Sequence, residues 1–66
     1  MKQGWIENEW GDKAHYVNDV VHNENGPAKN VDGNDWWIYN GKIVGMSNLG
    51  FTQEQFEEWK KFKSFI

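Results

Sequence analysis

The sequence predicts an α+β fold, in which a small antiparallel β-meander of hairpin repeats carries one C-terminal amphipathic helix packed on a face. Up to residue 48, short aromatic or β-branched runs alternate with Gly, Asn and Asp, which is typical of strands joined by tight turns. From residue 51 onward the chain has no Gly or Pro, and apolar residues recur at helical spacing. Since 66 residues is less than half of a usual domain of about 150, we expect a single domain over 1–66. We expect four to six strands in the hairpins of 1–48 and a helix over 51–66.

The hairpins are predicted by an internal repeat. Residues 11–21 and 33–43 align without a gap at an offset of 22, and each unit has the pattern strand, two-residue turn, strand. Asn40-Gly41 is the strongest hairpin signal, because a type I′ turn needs positive φ at both central positions. Asn18-Asp19 takes the same place in the first unit, and Asp32-Gly33 predicts a further turn between the units.

The C-terminal helix is predicted by its start signals and its apolar spacing. Thr52 is a suitable N-cap, and Gln55 three residues later completes a capping box. Phe51 and Phe56 have the spacing of a hydrophobic staple across that start. The expected buried stripe is Phe56, Trp59, Phe62 and Ile66.

Alternation along the strands predicts two apolar faces of the sheet. One face is expected to hold Ala14, Tyr16, Trp36 and Ile38. The other is expected to hold His15, Val17, Trp37 and Tyr39. A single helix covers only one face, so the second is covered by the N-terminal Trp5-Ile6 segment, covered by another copy, or left for a partner.

Residues 18–28 read N-D-V-V-H-N-E-N-G-P-A, which resembles the N-G-K-x-H-R-E-D-G-P-A stretch of MORN-like variant repeats. Those repeats are common in small proteins of bacteriophages and large DNA viruses, and continue as D-G-x-x-x-W-W/Y-x-N-G-K. Residues 32–42 follow in nearly that form, and Thr52–Phe56 is similar to the T/S-x-E-x-F helix that often follows a last repeat. The resemblance covers roughly residues 11–45, with departures at Asp19, Asn25 and Val44. It implies antiparallel hairpins and a viral source, and it supplies no catalytic residues.

Composition excludes several classes of protein. The absence of cysteine removes disulfides, thiolate metal sites and cysteine nucleophiles. No apolar run approaches the ~20 residues of a membrane span, and the first residues do not resemble a signal peptide. We expect a cytoplasmic protein, in the host cell if it is phage-encoded.

Catalysis and metal binding are not expected. His15 and His22 are the only histidines, and a zinc site would need further ligands, with Asp19 or Glu24 as possible donors. We expect His22 to hydrogen-bond the turn at Asn25-Gly26 instead. The aliphatic hydroxyls, at Ser47, Thr52 and Ser64, lie in no nucleophile motif. The sequence thus predicts no enzyme, no metal and no cofactor.

Aromatic content points to protein binding, since aromatic residues make up 17% of the chain and Trp and Tyr are enriched at interface hot spots. The predicted partner-binding residues are His15, Val17, Trp37 and Tyr39, with a charged rim of Glu7, Glu9 and Asp12. The expected function is to bind and modulate or inhibit a host or defence protein.

Three alternatives stay open. The same aromatics could stack the bases of a single-stranded nucleic acid, although residues 1–45 hold seven acidic groups against four lysines and no arginine. The chain could self-associate, as a homodimer or through its edge strands. Trp37 and Tyr39 could also be buried under the N-terminal segment and bind nothing.

Overall fold

The computed structural model describes residues 1–63 and contains one antiparallel sheet, a 3₁₀ turn and a helix. The strands are β1 (Gly4–Glu7), β2 (Lys13–Val17), β3 (Val20–Val21), β4 (Lys29–Val31), β5 (Asn34–Tyr39) and β6 (Lys42–Met46). The 3₁₀ turn is Ser47–Leu49 and the helix α1 is Gln53–Lys63. The predicted antiparallel sheet with one C-terminal helix is confirmed, while residues 64–66 of the expected helix lie outside the described residues.

The sheet has the order β1-β2-β4-β5-β6, and β3 pairs with the other half of β2. Both β3 and β4 run antiparallel to β2, so they share one strand position that residues 22–28 interrupt. Backbone hydrogen bonds mark where this segment leaves and returns. The Asn23 N–H donates to the Ile38 carbonyl (3.2 Å), and the His15 N–H donates to the Ala28 carbonyl (2.7 Å).

The three predicted two-residue turns all have positive φ at both positions, which confirms their predicted conformation. The φ values are 51° and 69° at Asn18-Asp19, 52° and 78° at Asp32-Gly33, and 49° and 81° at Asn40-Gly41. Asp19 also holds the N-terminal segment, because its carboxylate accepts a hydrogen bond from the Lys2 N–H and its own N–H donates to the Lys2 carbonyl (3.0 Å).

The start of α1 is the predicted capping box. The Gln55 N–H donates to Thr52 Oγ1 (3.2 Å), and the Thr52 N–H donates to Gln55 Oε1 (3.0 Å). These two bonds satisfy donors that the first helical turn leaves unpaired.

The predicted apolar stripe of α1 is partly wrong. Phe56 is fully buried and Trp59 is half-buried, but Phe62 is 69% exposed. At about 100° per residue, Phe62 lies about 120° around the helix from Phe56, whereas Lys63 lies within about 20° of it. The Lys63 Nζ accordingly lies over the Tyr39 ring, 4.5 Å from its centroid.

The helix packs on one side of β5 and makes a two-layer molecule. The Trp37 Nε1–H donates to Gln53 Oε1 (2.9 Å), and the rings of Tyr39 and Trp59 meet at 5.4 Å. The smallest extent of the Cα trace is 15 Å, which accommodates one sheet and one helix. Within residues 1–63, no helix is long and apolar enough to cross a membrane.

Candidate functional site

Cross-strand register sorts the strand residues into two faces. The helix face comprises Trp5, Glu7, Lys13, His15, Val17, Asp35, Trp37, Tyr39 and Gly45. The open face comprises Ile6, Ala14, Tyr16, Lys29, Trp36, Ile38, Ile43 and Met46. The ring contacts of α1 and Phe51 with β5 are to Trp37 and Tyr39, and the 15 Å thickness leaves no room for a third layer.

The structure buries Trp37, which the sequence placed on an exposed partner-binding surface. The Trp37 side chain is 4% exposed, because the helix lies over it and Gln53 accepts its indole N–H. The Phe51 ring meets the indole edge-on at 5.2 Å. Alternation predicted the two faces correctly, but the predicted site was placed on the face that the helix covers.

Tyr39 is half-buried on the same face. Its ring lies between His22, at 4.5 Å, and Trp59, at 5.4 Å. Its hydroxyl donates to Glu24 Oε1 (3.3 Å). These contacts make Tyr39 part of the packing between sheet, loop and helix.

His15 and Val17 lie in β2, beside the loop of residues 22–25. The His15 Nδ1–H donates to the His22 carbonyl (2.7 Å), and its ring meets Trp5 at 5.2 Å. Val17 is 36% exposed. Both line a shallow groove of about 280 Å³ beside the loop of residues 22–25, so they are not joined to Trp37 in one platform. Trp5 and Ile6 lie within β1 and cover neither face.

The predicted acidic rim lies at one end of the sheet. Glu7 and Glu9 are exposed and Asp12 is half-buried, with the Asp12 carboxylate accepting the Asp32 N–H (3.2 Å). Asn8 closes this β1–β2 connection, since its Oδ1 accepts from the N–H groups of Trp10 (2.9 Å) and Asp12 (3.0 Å). Trp10, at the tip, is 77% exposed, and the sequence analysis did not single it out.

His22 does not bind the Asn25-Gly26 turn as expected. Its buried Nδ1 accepts a hydrogen bond from the Asn40 N–H (2.9 Å), so the proton is on Nε2, which lies 3.7 Å from Glu24 Oε1. Asn23 holds the turn instead, accepting from the Asn25 N–H and donating to the Pro27 carbonyl, both at 3.0 Å. The prediction was wrong because the partner of His22 lies on another hairpin.

The 22–28 segment is also tied to the helix. Gln53 Nε2 donates to the Asn25 carbonyl (3.3 Å) and Lys60 Nζ donates to the Glu24 carbonyl (2.5 Å). Ala28 is fully buried. The H-x-x-x-G-P-A stretch is therefore a structural element that joins the sheet to α1.

Metal and small-molecule sites find little support in residues 1–63. No group of three or more His, Asp or Glu side chains in this range could hold a metal ion, and the Nδ1 atoms of both histidines are engaged. A second shallow groove, of about 250 Å³, lies between Ile6, Tyr16 and Lys29. Ligand pockets usually enclose about 300 Å³ or more.

The open face presents some of its apolar side chains to solvent, while Ala14 and Ile38 on the same face are buried. Ile6 is 41% exposed and Ile43 is 55% exposed, and Tyr16 and Trp36 are half-buried between them. Lysine ammonium groups lie over both rings, with Lys2 Nζ 5.1 Å from the Tyr16 centroid and Lys29 Nζ 5.5 Å from the Trp36 centroid.

The sequence did not indicate the open face as the candidate site, although one signal pointed to it. Gly45 lies opposite Trp37 in β6, and a glycine inside a strand often marks a close approach by another group. That group is Phe51, which leads into the helix and shows which face is covered. Comparisons with protein-family models, with curated proteins and with solved structures find no match.

Proposed function

We propose that this protein is a non-enzymatic binding module that docks on a partner protein through its open face and thereby modulates or inhibits that partner. The observation that carries the proposal is the exposure of Ile6 and Ile43, in the two edge strands, with half-buried Tyr16 and Trp36 between them on the sheet face opposite the helix. Contiguous apolar surface rimmed by polar residues is typical of interaction sites. Trp and Tyr supply much of the binding free energy at such sites.

The dimensions of the molecule fit an interface of ordinary size. The two longer extents are 38 and 27 Å, and a face of those dimensions has an area on the order of 1,000 Å², against about 800 Å² per partner in a standard complex. The side chains of the open face project from paired strands, and α1 packs on the opposite face of the sheet. Docking therefore has to order few side chains or backbone segments. A preorganised surface loses less entropy on binding.

The resemblance of residues 11–45 to MORN-like variant repeats of phages supports a viral protein that acts on a host or defence protein. It favours two hairpin units, 11–21 and 33–43, that derive from one repeat, and a viral source. A host or defence protein is the partner expected of a small viral protein whose sequence contains no recognised catalytic motif.

Affinity capture from nuclease-treated host lysate tests the proposal when it is done with paired variants. Trp36→Ala combined with Ile43→Ser removes two anchors from the open face. Leu49→Ser is the matched control, because Leu49 is 74% exposed but lies in the 3₁₀ turn after β6. We expect the captured protein to be lost with the double variant and kept with Leu49→Ser. The proposal would be contradicted if the captured protein disappears after nuclease treatment, or if the double variant still captures it.

A further inference from the structure

Charge is distributed unevenly between the two faces of the sheet. In residues 1–63, the strand positions of the open face hold no Asp or Glu and include Lys29, while Lys2 lies over the Tyr16 ring of the same face. Carboxylates at strand positions, Glu7 and Asp35, lie on the helix face. A chain of net charge −3 therefore presents an apolar face on which lysines outnumber carboxylates, with Asp12 at one end of the groove between Ile6, Tyr16 and Lys29.

We infer that the open face selects an acidic, apolar protein segment, in which carboxylates lie beside aliphatic or aromatic groups. This inference rests on the proposed function and adds the chemistry of the partner. Opposite potentials across an interface favour the correct partner and speed its encounter.

The two lysines are placed to receive carboxylates. Neither the Lys2 nor the Lys29 ammonium is ion-paired within residues 1–63, and each lies over an aromatic ring. A carboxylate that reaches either ammonium thus arrives beside an apolar surface. The apolar part of the same segment then covers Ile6 and Ile43.

A second copy of this chain fits the open face less well. In a two-fold dimer the same patch meets itself, so the lysines at positions 2 and 29 would meet the same patch of the other copy, and neither open face has a carboxylate at a described strand position. Like charges in close contact across an interface are unfavourable. The cationic character that suits an acidic partner therefore opposes self-association.

A single-stranded nucleic acid also fits less well than an acidic protein segment. Bases stack on open aromatic faces, and here an ammonium group lies over each ring. A phosphate chain that crosses the sheet would also pass carboxylates at both ends. Asp12 and Asp32 are joined at one end, and Asp19 lies at the other, in the β2–β3 turn.

Selection from a random dodecapeptide library displayed on phage tests the inference directly. Enriched peptides are expected to carry Asp or Glu beside Leu, Phe or Trp. Lys2→Gln with Lys29→Gln should weaken their binding about ten-fold, and added salt should weaken the binding to wild type. The control Lys42→Gln with Lys61→Gln makes the same change in net charge away from the open face, and should leave affinity within about two-fold. Lys2→Arg with Lys29→Arg should preserve binding, which separates the loss of charge from structural damage.

Each other outcome has a defined meaning. The inference would be overturned if no peptide is enriched or if the consensus peptides are neutral or basic. It would also be overturned if the two glutamine double variants lose equal affinity, or if an oligothymidylate binds more tightly than the peptides. If the peptides are uncharged but their binding is lost with Trp36→Ala, the proposed function survives and the inference fails. If Trp36→Ala also has no effect, both fail. Thermal unfolding of each variant verifies that the fold is intact.

Discussion

The ring of Phe51 lies against the backbone of Gly45, in the space that a β-carbon on residue 45 would occupy. Gly45 is the cross-strand neighbour of Trp37, so Phe51 also meets the indole, at 5.2 Å between ring centroids. Because Phe51 comes just before α1, this insertion brings the helix onto the Trp37 side of the sheet. The missing side chain at position 45 thus helps to decide which face of the protein stays open.

Gly45→Ala should destabilise the fold. Alanine in place of glycine usually stabilises when the backbone conformation permits it, by about 0.4–1 kcal/mol. Here the added methyl group overlaps the Phe51 ring, and overpacking of this kind costs about 1–3 kcal/mol. Urea unfolding should therefore show a lower midpoint for Gly45→Ala than for wild type.

Gly26→Ala is the matched control for this substitution. A β-carbon at position 26 would meet Gln53 Oε1 at 3.6 Å, an ordinary contact. We expect its midpoint to stay close to that of wild type. A Gly45→Ala protein as stable as Gly26→Ala would show that Phe51 does not occupy the space beside Gly45.

Replacing Trp37 by Ala should lower stability much more than replacing Trp36 by Ala, because only Trp37 lies in the core. Trp37→Ala removes a buried ring that packs on Phe51 and donates to Gln53, and we expect a loss of about 3–5 kcal/mol in the free energy of unfolding. Trp36→Ala removes a half-buried ring from the open face and should cost about 1–2 kcal/mol. Urea titration of both variants measures the difference. A larger loss at Trp36 than at Trp37 would reverse our assignment of the two faces.

The sequence predicted the local features and missed those that depend on distant residues. The turns and the capping box follow from residues within a few positions of one another, and the structure contains them. Trp36 and Trp37 are both aromatic, so alternation shows that they point to opposite sides but not which side the helix takes. That choice involves Gly45 and Phe51, which meet only when the chain after β6 folds back.

His22 shows the same limit. Its partner, the Asn40 N–H, is 18 residues away on another hairpin, so no local pattern predicts it. The buried Nδ1 of His22 accepts this hydrogen bond, so a side chain that replaces His22 must offer an acceptor at the same place.

His22→Asn should be tolerated better than His22→Leu. The Asn carboxamide oxygen lies close to the place of Nδ1 and can accept from the Asn40 N–H, whereas Leu fills the volume but offers no acceptor. Loss of a buried hydrogen bond costs about 1–3 kcal/mol. Thermal unfolding should rank wild type above His22→Asn and His22→Asn above His22→Leu. Equal stability of the two variants would show that the hydrogen bond to Asn40 contributes nothing.

Glu57 should make the stability of the helix depend on pH. The Lys60 ammonium donates to its carboxylate (3.1 Å), and this hydrogen bond lowers the pKa of Glu57 below its ordinary value. Desolvation opposes the shift, and the charge of Lys60 and a hydrogen bond from Gln53 add to it. A pKa that is lower in the folded state stabilises the fold above the unfolded value, and that stabilisation is lost as pH falls through the folded value.

Glu57→Gln should therefore lower the melting temperature at pH 7 and make no difference at about pH 2, where the wild-type carboxyl is also neutral. The effect should be small and should shrink in high salt, because Glu57 is exposed and water screens the pair. Glu58→Gln, at an exposed neighbouring position, makes the same charge change and controls for net charge. If the gap between Glu57→Gln and wild type widened towards low pH, or if Glu58→Gln matched it at every pH, the ion pair with Lys60 would not be the cause.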